Sequence, residues 1–353
     1  MEVRYTPTNQ EFNVVLKYYG LGPLLSNAER LGGASGNINF ALDVPQGRYF
    51  CRVRGGYSEQ EALAHHVLAH LTEKGFPTAP LLRTVDGETY VQYKNKIYEL
   101  HSFLYGEEFE WGNQEQFAAM GGVIAQFHDC MKTFECSIPF ERFIGQEFWN
   151  NYPHLQRQEQ FIEITRQDMA NREGPAELRE SITEALIQTR QTMEKVTSAW
   201  ELLEPYLPRF FVHGDYHPLN LRFKGNEVAF VCDFDFVMPA ERIYDIITAF
   251  VWWMQEGYGT ISGGGEEVPP DASYLEPYRE FLVNYNKQST QMLTSEEMQA
   301  LVVDMQRLLL LYGSKASMHY DNFDGMLNWL TGHLKRVEWL ERYQVEFERG
   351  LSQ

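Results

Sequence analysis

Residues 210–235 constrain the fold of this 353-residue chain more than any other segment, because they combine two apolar runs with three oxygen-bearing side chains. A strand-like apolar run is followed by Asp215 and, five residues later, by Asn220. A Lys-Gly-Asn turn at 224–226 then sends the chain into a second apolar run that ends at Asp233. The pattern predicts a short hairpin that brings the three polar side chains together.

These residue types suit phosphoryl transfer from ATP. That reaction needs a carboxylate to orient a hydroxyl and accept its proton, and hard oxygen ligands for the magnesium ion that bridges the phosphates. The spacing of Asp215, Asn220 and Asp233 matches the catalytic loop and the metal-binding aspartate of protein kinases. Two details differ: Gly214 follows His213 where protein kinases carry arginine, and Phe-Asp rather than Phe-Gly follows the last aspartate.

The sequences HGDYHPLN at 213–220 and VCDFDF at 231–236 resemble the aminoglycoside phosphotransferase and choline kinase superfamily, in particular its type II homoserine kinase-like small-molecule kinases. The resemblance extends over nearly the whole chain. It implies ATP as phosphoryl donor and Asp215 as the catalytic base. It also implies a Mg²⁺ site formed by Asn220, Asp233 and, as an auxiliary carboxylate, Asp235.

The phosphate-covering loop of that family falls on a glycine-containing segment before the first hairpin strand. We assign to it Gly33, Ser35 and Gly36, because glycines at this point let backbone amides approach phosphate closely. The chain contains no P-loop motif, which disfavours a P-loop ATPase.

The cation that anchors ATP is predicted on the second hairpin strand. The family usually presents a lysine in a pattern like Tyr-Val-Leu-Lys-Ile, and residues 49–53 place Arg52 at that position. Arg54 lies on the same face of the strand and is the alternative. We prefer Arg52 because Phe50 then lies where an apolar side chain should cover adenine. Arginine keeps the charge but contacts phosphate with a different geometry from lysine.

Two further nucleotide contacts follow from the resemblance. The family pairs its cation with a helix glutamate, for which Glu61 is the candidate and Glu59 the alternative, although either also fits a solvated charge at a helix start. Backbone groups of the hinge between the lobes are expected to meet the edge of adenine. The hinge residues so assigned are Leu100, His101 and Ser102.

Residues outside the motifs have weaker assignments. Asp245 resembles the buried aspartate that supports the family's catalytic loop, although acids at helix starts are common for structural reasons. His213 is expected to brace the same loop by hydrogen bonding. Aromatic residues at helical spacing more often belong to a core than to a ligand pocket. With that reservation, the candidates for an acceptor pocket are Trp252, Trp253, Tyr312 and His319.

The sequence period changes along the chain. The first hundred residues predict a hairpin at 37–54, a helix at 58–74 and further strands at 81–85, 88–93 and 97–104. Beyond residue 106 the apolar residues recur mainly at helical spacing. We therefore predict an α+β, protein-kinase-like fold with a small, mainly β nucleotide-binding lobe (1–104) and a larger helical lobe (105–353) that carries the catalytic loop and the acceptor site.

Composition excludes several classes of partner. Thirty Lys and Arg against 49 Asp and Glu give a net charge of -19, which argues against nucleic acid as a partner. No apolar run approaches the roughly 18 residues of a membrane span, and the N-terminal segment has no signal-peptide core. The four cysteines show no CxxC pairing and are expected to be reduced thiols. We expect a cytoplasmic protein without membrane or nucleic-acid partners.

The expected activity is transfer of the γ-phosphoryl group of ATP to a hydroxyl of a small molecule, such as an amino alcohol, an amino acid, a sugar or an aminoglycoside. A catalytically silent kinase-like protein that binds nucleotide or serves as a scaffold is the alternative. Its only sequence support is arginine at the lysine position, and the presence of Asp215, Asn220 and Asp233 argues against it.

Replacement of the expected base tests this interpretation directly. Asp215→Asn should leave nucleotide binding nearly intact and lower turnover by roughly 10² to 10⁴, because the amide cannot accept the hydroxyl proton. Steady-state rates and calorimetric nucleotide affinities of the two proteins provide the measurement. An unchanged rate would contradict the assignment.

Overall fold

The N-terminal lobe is built on an antiparallel sheet of five strands. The computed structural model describes residues 5–32, 37–136, 155–256 and 275–345. The strands are β1 (Glu29–Leu31), β2 (Ile38–Val44), β3 (Gly47–Arg54), β4 (Val91–Tyr93) and β5 (Lys96–Ser102), arranged in the order β1-β2-β3-β5-β4. The accompanying helices are α1 (Asn9–Tyr18) and α2 (Glu59–Glu73). The predicted hairpin and the predicted helix at 58–74 are confirmed.

The sheet has an apolar and a polar face because side chains alternate along each strand. On the apolar face, Phe12 and Leu16 of α1 are fully buried in a cluster with side chains of three strands. These strand residues are Phe40, Leu42, Cys51, Val53, Tyr98 and Leu100. The opposite face carries Arg52 of β3 across from Glu99 of β5. The sheet therefore presents charged side chains to the second lobe.

The region between α2 and β5 differs from the expectation. The run at 81–85 was predicted as a strand but contributes only an isolated bridge between Leu81 and His101. The chain instead turns tightly, since the amide of Thr84 donates to the carbonyl of Glu88 at 2.8 Å. Helix α1 was not predicted, although the capping box of Thr8 with Glu11 marks its start.

The C-terminal lobe is mainly helical. Its helices are α3 (Gln114–Met131), α4 (Leu155–Asn171), α5 (Ala176–Leu203), α6 (Ile243–Glu256), α7 (Glu276–Gln288), α8 (Ser295–Ser314), α9 (Ala316–His319) and α10 (Phe323–Arg342). Two two-stranded sheets pair β6 (Arg209–Val212) with β9 (Met238–Glu241) and β7 (Leu221–Lys224) with β8 (Glu227–Val231). Within the described ranges, no helix is both long and apolar enough to cross a membrane.

Buried apolar side chains of the helices and hairpins form one continuous core in this lobe, and the buried face of α2 from the N-terminal lobe, with Leu63, Val67 and Leu71, belongs to the same core. Helices α3 and α7 approach so closely that a Cβ on Gly121 would overlap the carbonyl oxygen of Phe281. Strand β9 pairs with β6 and leads into α6, which returns beside the loop that follows β6. The loop that carries the chemistry is therefore backed by the core of the helical lobe.

The packing of α1 provides a stability test of the N-terminal lobe. Leu16→Ala should lower the free energy of unfolding by about 2–5 kcal/mol, because it removes a fully buried side chain and leaves a cavity. The exposed neighbour Lys17 gives a matched control, since Lys17→Ala should change it by less than about 0.5 kcal/mol. Denaturant titrations of the two variants measure both values; similar losses would contradict this account of the packing.

Candidate active site

A buried carboxylate fixes the loop between β6 and β7. Asp245, in the first turn of α6, accepts the amide of His213 at Oδ2 (2.8 Å) and the amide of Gly214 at Oδ1 (2.9 Å). Its Oδ2 also lies 3.1 Å from Nε2 of His128. Buried amides need hydrogen-bond partners, and Asp245 supplies two of them from a fully buried position. The contacts are those of a residue that supports this loop.

The loop also requires glycine at 214. Gly214 has φ of +80°, which residues with side chains rarely adopt, and a Cβ there would overlap the carbonyl oxygen of Phe236. The buried ring of His213 donates from Nε2 to the carbonyl of Cys232 (3.1 Å) and accepts the amide of Asp215 at Nδ1 (3.3 Å). Burial lowers the pKa of His213, which agrees with a neutral ring that donates at one nitrogen and accepts at the other.

The structure brings Asp215 and Asn220 into direct contact. Nδ2 of Asn220 donates to the backbone carbonyl and to Oδ2 of Asp215, both at 2.9 Å, and Nε2 of His217 lies 3.3 Å from the same Oδ2. No hydrogen bond reaches Oδ1 of Asp215 from the part of the chain that the structure describes. Burial acts to raise the pKa of Asp215, but the hydrogen bond from His217 and the charges nearby lower it below its ordinary value. This carboxylate is therefore ionised at neutral pH, with one oxygen fixed and one open.

Asp233 lies beside Asn220 at the end of β8. The amide of Cys232 donates to the carbonyl of Asn220 at 2.9 Å, and Asp233 itself has a left-handed φ of +65°, which is uncommon outside glycine. Nη1 of Arg52 lies 3.3 Å from Oδ1 of Asp233 and 3.0 Å from Oδ1 of Asp235. Burial raises the pKa of Asp233; Arg52 opposes this effect and the neighbouring Asp235 adds to it.

Asp235 is bound mainly by Arg54. Nη1 of Arg54 donates to Oδ2 at 2.8 Å and Nη2 donates to Oδ1 at 2.6 Å, which makes a two-point contact. Burial acts to raise the pKa of Asp235, but Arg52 and Arg54 outweigh it and the pKa lies below its ordinary value. Both oxygens of the carboxylate that the resemblance assigns to the metal site are therefore hydrogen-bonded to arginine.

The helix glutamate lies near Arg54 and not near Arg52. Oε1 of Glu61 is 3.9 Å from Nη1 of Arg54, and its Oε2 accepts the amide of Ser58 at 2.7 Å in the cap of α2. Besides Asp235, Arg54 has a close carboxylate partner in Glu99, whose Oε1 accepts from Nε at 2.8 Å. In the structure Glu61 therefore lies near Arg54, the alternative cation, whereas Arg52 contacts Asp233 and Asp235.

The three residues predicted to contact adenine lie inside β5. The carbonyl of Leu100 accepts the amide of Leu82 (2.8 Å), and the amide of Ser102 donates to the carbonyl of Pro80 (2.9 Å). His101 is paired with β3 across the sheet, and burial lowers its pKa to about 4, so its ring is neutral. These bonds occupy the carbonyl of Leu100 and the amide of Ser102, so neither group is available to adenine.

The remaining candidates are the glycine loop and the aromatic residues. The glycine loop with Gly33, Ser35 and Gly36 lies outside the described residues and stays a prediction.

Of the aromatic residues, Trp252 stacks on His217, with ring centroids 4.0 Å apart, next to the open carboxylate of the loop. Burial raises the pKa of Tyr312, and the nearby charge of Asp215 adds to this rise. Trp253 stacks on a core phenylalanine, and His319 stacks on a tryptophan of α10. Trp252 and Tyr312 are therefore the aromatic candidates that lie nearest to the loop, and Trp253 is a core residue.

Comparison with known proteins identifies the family. The description "Phosphotransferase enzyme family" belongs to a family model that matches residues 27–268. The chain belongs to this family. A homoserine kinase from Methylobacillus glycogenes is 27% identical to this phosphotransferase over 248 residues, which is 69% of each chain.

Solved structures with the same fold extend the comparison. A microcompartment-associated aminopropanol kinase aligns with a TM-score of 0.64 at 16% identity, covering 94% of this chain and 96% of that one. An amicoumacin kinase in complex with AMP-PNP, Ca²⁺ and Ami aligns with a TM-score of 0.59 at 15% identity, covering 91% and 88%. These likenesses confirm the predicted kinase-like fold. The family assignment confirms the prediction of a small-molecule kinase.

The donor set of this phosphotransferase fits a magnesium ion with few protein ligands. Within the described ranges, no group of three or more His, Cys, Asp or Glu side chains could hold a metal. Asn220 directs Nδ2 toward Asp215, which leaves its Oδ1 as a hard oxygen donor, and its backbone carbonyl accepts the amide of Cys232, the residue before Asp233. Mg²⁺ in proteins usually takes one or two carboxylates and completes its shell with waters and substrate phosphates.

Sequence reasoning missed two polar side chains of the N-terminal lobe of this kinase: Glu99 binds residues of its own lobe, and Gln60 reaches the other lobe. Glu99 is 1% exposed and binds both Arg54 and, at 3.2 Å, His65 of α2. Gln60 donates from Nε2 to the carbonyls of Asp235 (2.9 Å) and Val237 (2.8 Å). The sequence does contain a signal for Glu99, since burying an acid within an otherwise apolar strand is costly unless the acid is paired. No sequence signal marks the glutamine.

Two glycines with positive φ provide a matched test of the loop. Gly225 (φ +62°) has open space around its Cα, whereas the site of a Cβ on Gly214 is filled by Phe236. Gly225→Ala should cost about 1 kcal/mol of stability from backbone strain alone, and Gly214→Ala at least about 3 kcal/mol together with most turnover, because overlap adds to strain. Denaturant titration and rate measurement compare the two variants. Equal costs would contradict the close approach of the two segments.

Proposed function

We propose that this phosphotransferase transfers the γ-phosphoryl group of ATP to a hydroxyl of a small amino alcohol or amino acid. The observation that carries the proposal is the convergence of Asp215, Asn220 and Asp233 with Arg52 of the other lobe. In this proposal, these residues would supply a base, oxygen donors for a cation and a positive charge for phosphate. These are the parts that phosphoryl transfer requires.

In the proposed reaction Asp215 orients the acceptor hydroxyl and takes its proton. The carboxylate is ionised, and Asn220 and His217 occupy its Oδ2, so Oδ1 is the atom that receives the hydroxyl proton. The hydrogen bonds on one oxygen also fix the plane of the carboxylate. A fixed plane lowers the entropic cost of aligning the hydroxyl with the phosphorus atom.

The proposed metal site consists of Oδ1 of Asn220 and the carboxylate of Asp233. Mg²⁺ bound there would supply positive charge to the bridging phosphate oxygens. The protein contributes by orienting the Asn220 amide through two hydrogen bonds to Asp215. Metal site and base are therefore coupled by a single side chain.

Arg52 is the proposed phosphate-binding cation. Its side chain is 12% exposed, and its buried Nε has no hydrogen-bond partner among the described residues, so the guanidinium retains donor capacity. A guanidinium offers several donors in one plane, which suits phosphate oxygens. The proposed adenine contacts come from backbone groups that follow Ser102.

The acceptor class is inferred from the relatives and the local chemistry. The matched proteins carry the names homoserine kinase and aminopropanol kinase, and both acceptors join an amine to a hydroxyl. The negative net charge of the chain and the aromatic face of Trp252 near Asp215 favour a cationic acceptor. Homoserine and small amino alcohols are therefore the first acceptors to test.

A silent nucleotide-binding protein is the second candidate. The observation in its favour is that Arg52 and Arg54 already neutralise Asp233 and Asp235. Calorimetry separates the two candidates, because the kinase requires a divalent ion for tight nucleotide binding and the silent protein does not.

A coupled ADP-release assay over homoserine, ethanolamine, choline, aminopropanol and aminoglycosides tests the proposal. At least one amino alcohol or amino acid should stimulate ADP release about a hundredfold or more over the rate without acceptor, with the stimulation absent in Asp215→Asn. The inactive variant controls for contaminating kinases. Metal-independent nucleotide binding without any stimulated release would favour the silent protein.

A further inference from the structure

The two arginines of β3 contact the same two carboxylates in different ways. Asp233 and Asp235 form what we call the aspartate pair. Arg52 reaches the pair through a single nitrogen, Nη1, at 3.3 and 3.0 Å. Arg54 uses all three side-chain nitrogens, two on Asp235 at 2.8 and 2.6 Å and one on Glu99 at 2.8 Å. Arg52 therefore shares one nitrogen between two carboxylates, whereas Arg54 uses each of its side-chain nitrogens in a short hydrogen bond.

Additional bonds from the N-terminal lobe hold the same carboxylate and its backbone. Nδ2 of Asn37 lies 3.3 Å from Oδ2 of Asp235, and Gln60 of α2 donates to the carbonyl of Asp235. Arg54 is in turn fixed by Glu99, which also contacts His65 of α2. Sheet and helix of one lobe therefore converge on a single residue of the other lobe.

We propose that Asp235 is not a metal ligand but the tether through which Arg54 fixes the segment after β8 to the N-terminal lobe. Arg54 and Asp235 are then positioning residues, and Arg52 is the arginine that can leave the aspartate pair. This inference rests on the proposed function, because it divides the aspartate pair between a metal ion and a tether. Asp233 keeps the metal role.

Geometry explains why the two roles separate. The carboxylate of Asp235 accepts four contacts, two from Arg54, one from Arg52 and one from Asn37, which fill its lone-pair sites, so a cation has to displace a donor there. Among the described residues, the carboxylate of Asp233 has only the 3.3 Å contact with Arg52 to lose. Arg52 can leave because it shares one nitrogen between two acceptors. Arg54 cannot leave without removing the 2.8 Å hydrogen bond from its Nε to the buried Glu99, whose side chain is 1% exposed and would keep only the contact with His65 among the described residues.

The experiment compares Asp235→Asn with the matched variant Asp233→Asn in two measurements. Water-proton relaxation enhancement measures how tightly Mn²⁺ binds to the complex of the protein with AMP-PNP. Hydrogen exchange measures the amides of residues 234–238, which include the buried Val237. Asp233→Asn should weaken Mn²⁺ binding at least about tenfold and leave exchange within about twofold, because it removes a metal ligand and not the tether.

Asp235→Asn should show the reverse pattern. Mn²⁺ binding should stay within about threefold of the original protein, while exchange at 234–238 becomes at least about fivefold faster because the two-point contact is lost. The double variant Arg54→Gln/Glu99→Gln removes the arginine without leaving a charged Glu99 in place of its lost partner, and it should accelerate hydrogen exchange of the same amides. Adding Asp235→Asn to that variant should produce no further acceleration.

Two results would overturn the tether. Loss of Mn²⁺ in Asp235→Asn to the extent seen in Asp233→Asn would make Asp235 a metal ligand, and unchanged exchange at 234–238 would show that no tether exists. If the original protein forms no complex with Mn²⁺ and AMP-PNP, the proposed function fails, and the exchange measurement alone then decides the tether.

Discussion

The arrangement of the site depends on the buried carboxylate of Asp245. Its two oxygens accept the amides of His213 and Gly214, which lie where β6 has ended and no strand supplies partners. A buried amide without a partner costs about 1–3 kcal/mol, so the loop conformation is stable only with this acceptor in place. The left-handed turn at Gly214 follows from it and directs Asp215 toward Asn220. A residue without contact to any reacting atom thus sets the geometry of the proposed base.

A second constraint is the charge balance between the lobes. The two arginines of β3 face Asp233, Asp235 and Glu99 in a region where burial alone would disfavour every one of these charges. Arginine suits position 54 better than lysine because its three nitrogens can bind separate acceptors, as Arg54 does with Asp235 and Glu99. Arg52, at the family's usual lysine position, reaches both aspartates through Nη1 alone, so these contacts do not by themselves require arginine there.

The sequence predicted those parts of the site whose geometry is local. Asp215 and Asn220 are five residues apart in one loop, so their contact depends only on a turn and a short hairpin. The partner of Arg54 could not be predicted in the same way, because Glu99 faces β3 only through the register of β3 with β5, which are separated by a helix and a long connection. The contacts of Leu100 and Ser102 are non-local for the same reason. The segment with Pro80 and Leu82, part of which the sequence predicts as a separate strand at 81–85, bonds to them beside β5.

These observations also separate the part of the site that is independent of the acceptor from the part that selects it. Asn220 and His217 fix one oxygen of Asp215 from within the loop, so any hydroxyl meets the same remaining oxygen in the same orientation. Selection among acceptors then falls to side chains on other elements, of which Trp252 of α6, stacked on His217, is directly linked to the loop. A change at Trp252 can therefore alter the choice of acceptor and leave the hydrogen bonds within residues 213–220 in place, whereas a change at Asp245 of the same helix removes the acceptor of the loop amides.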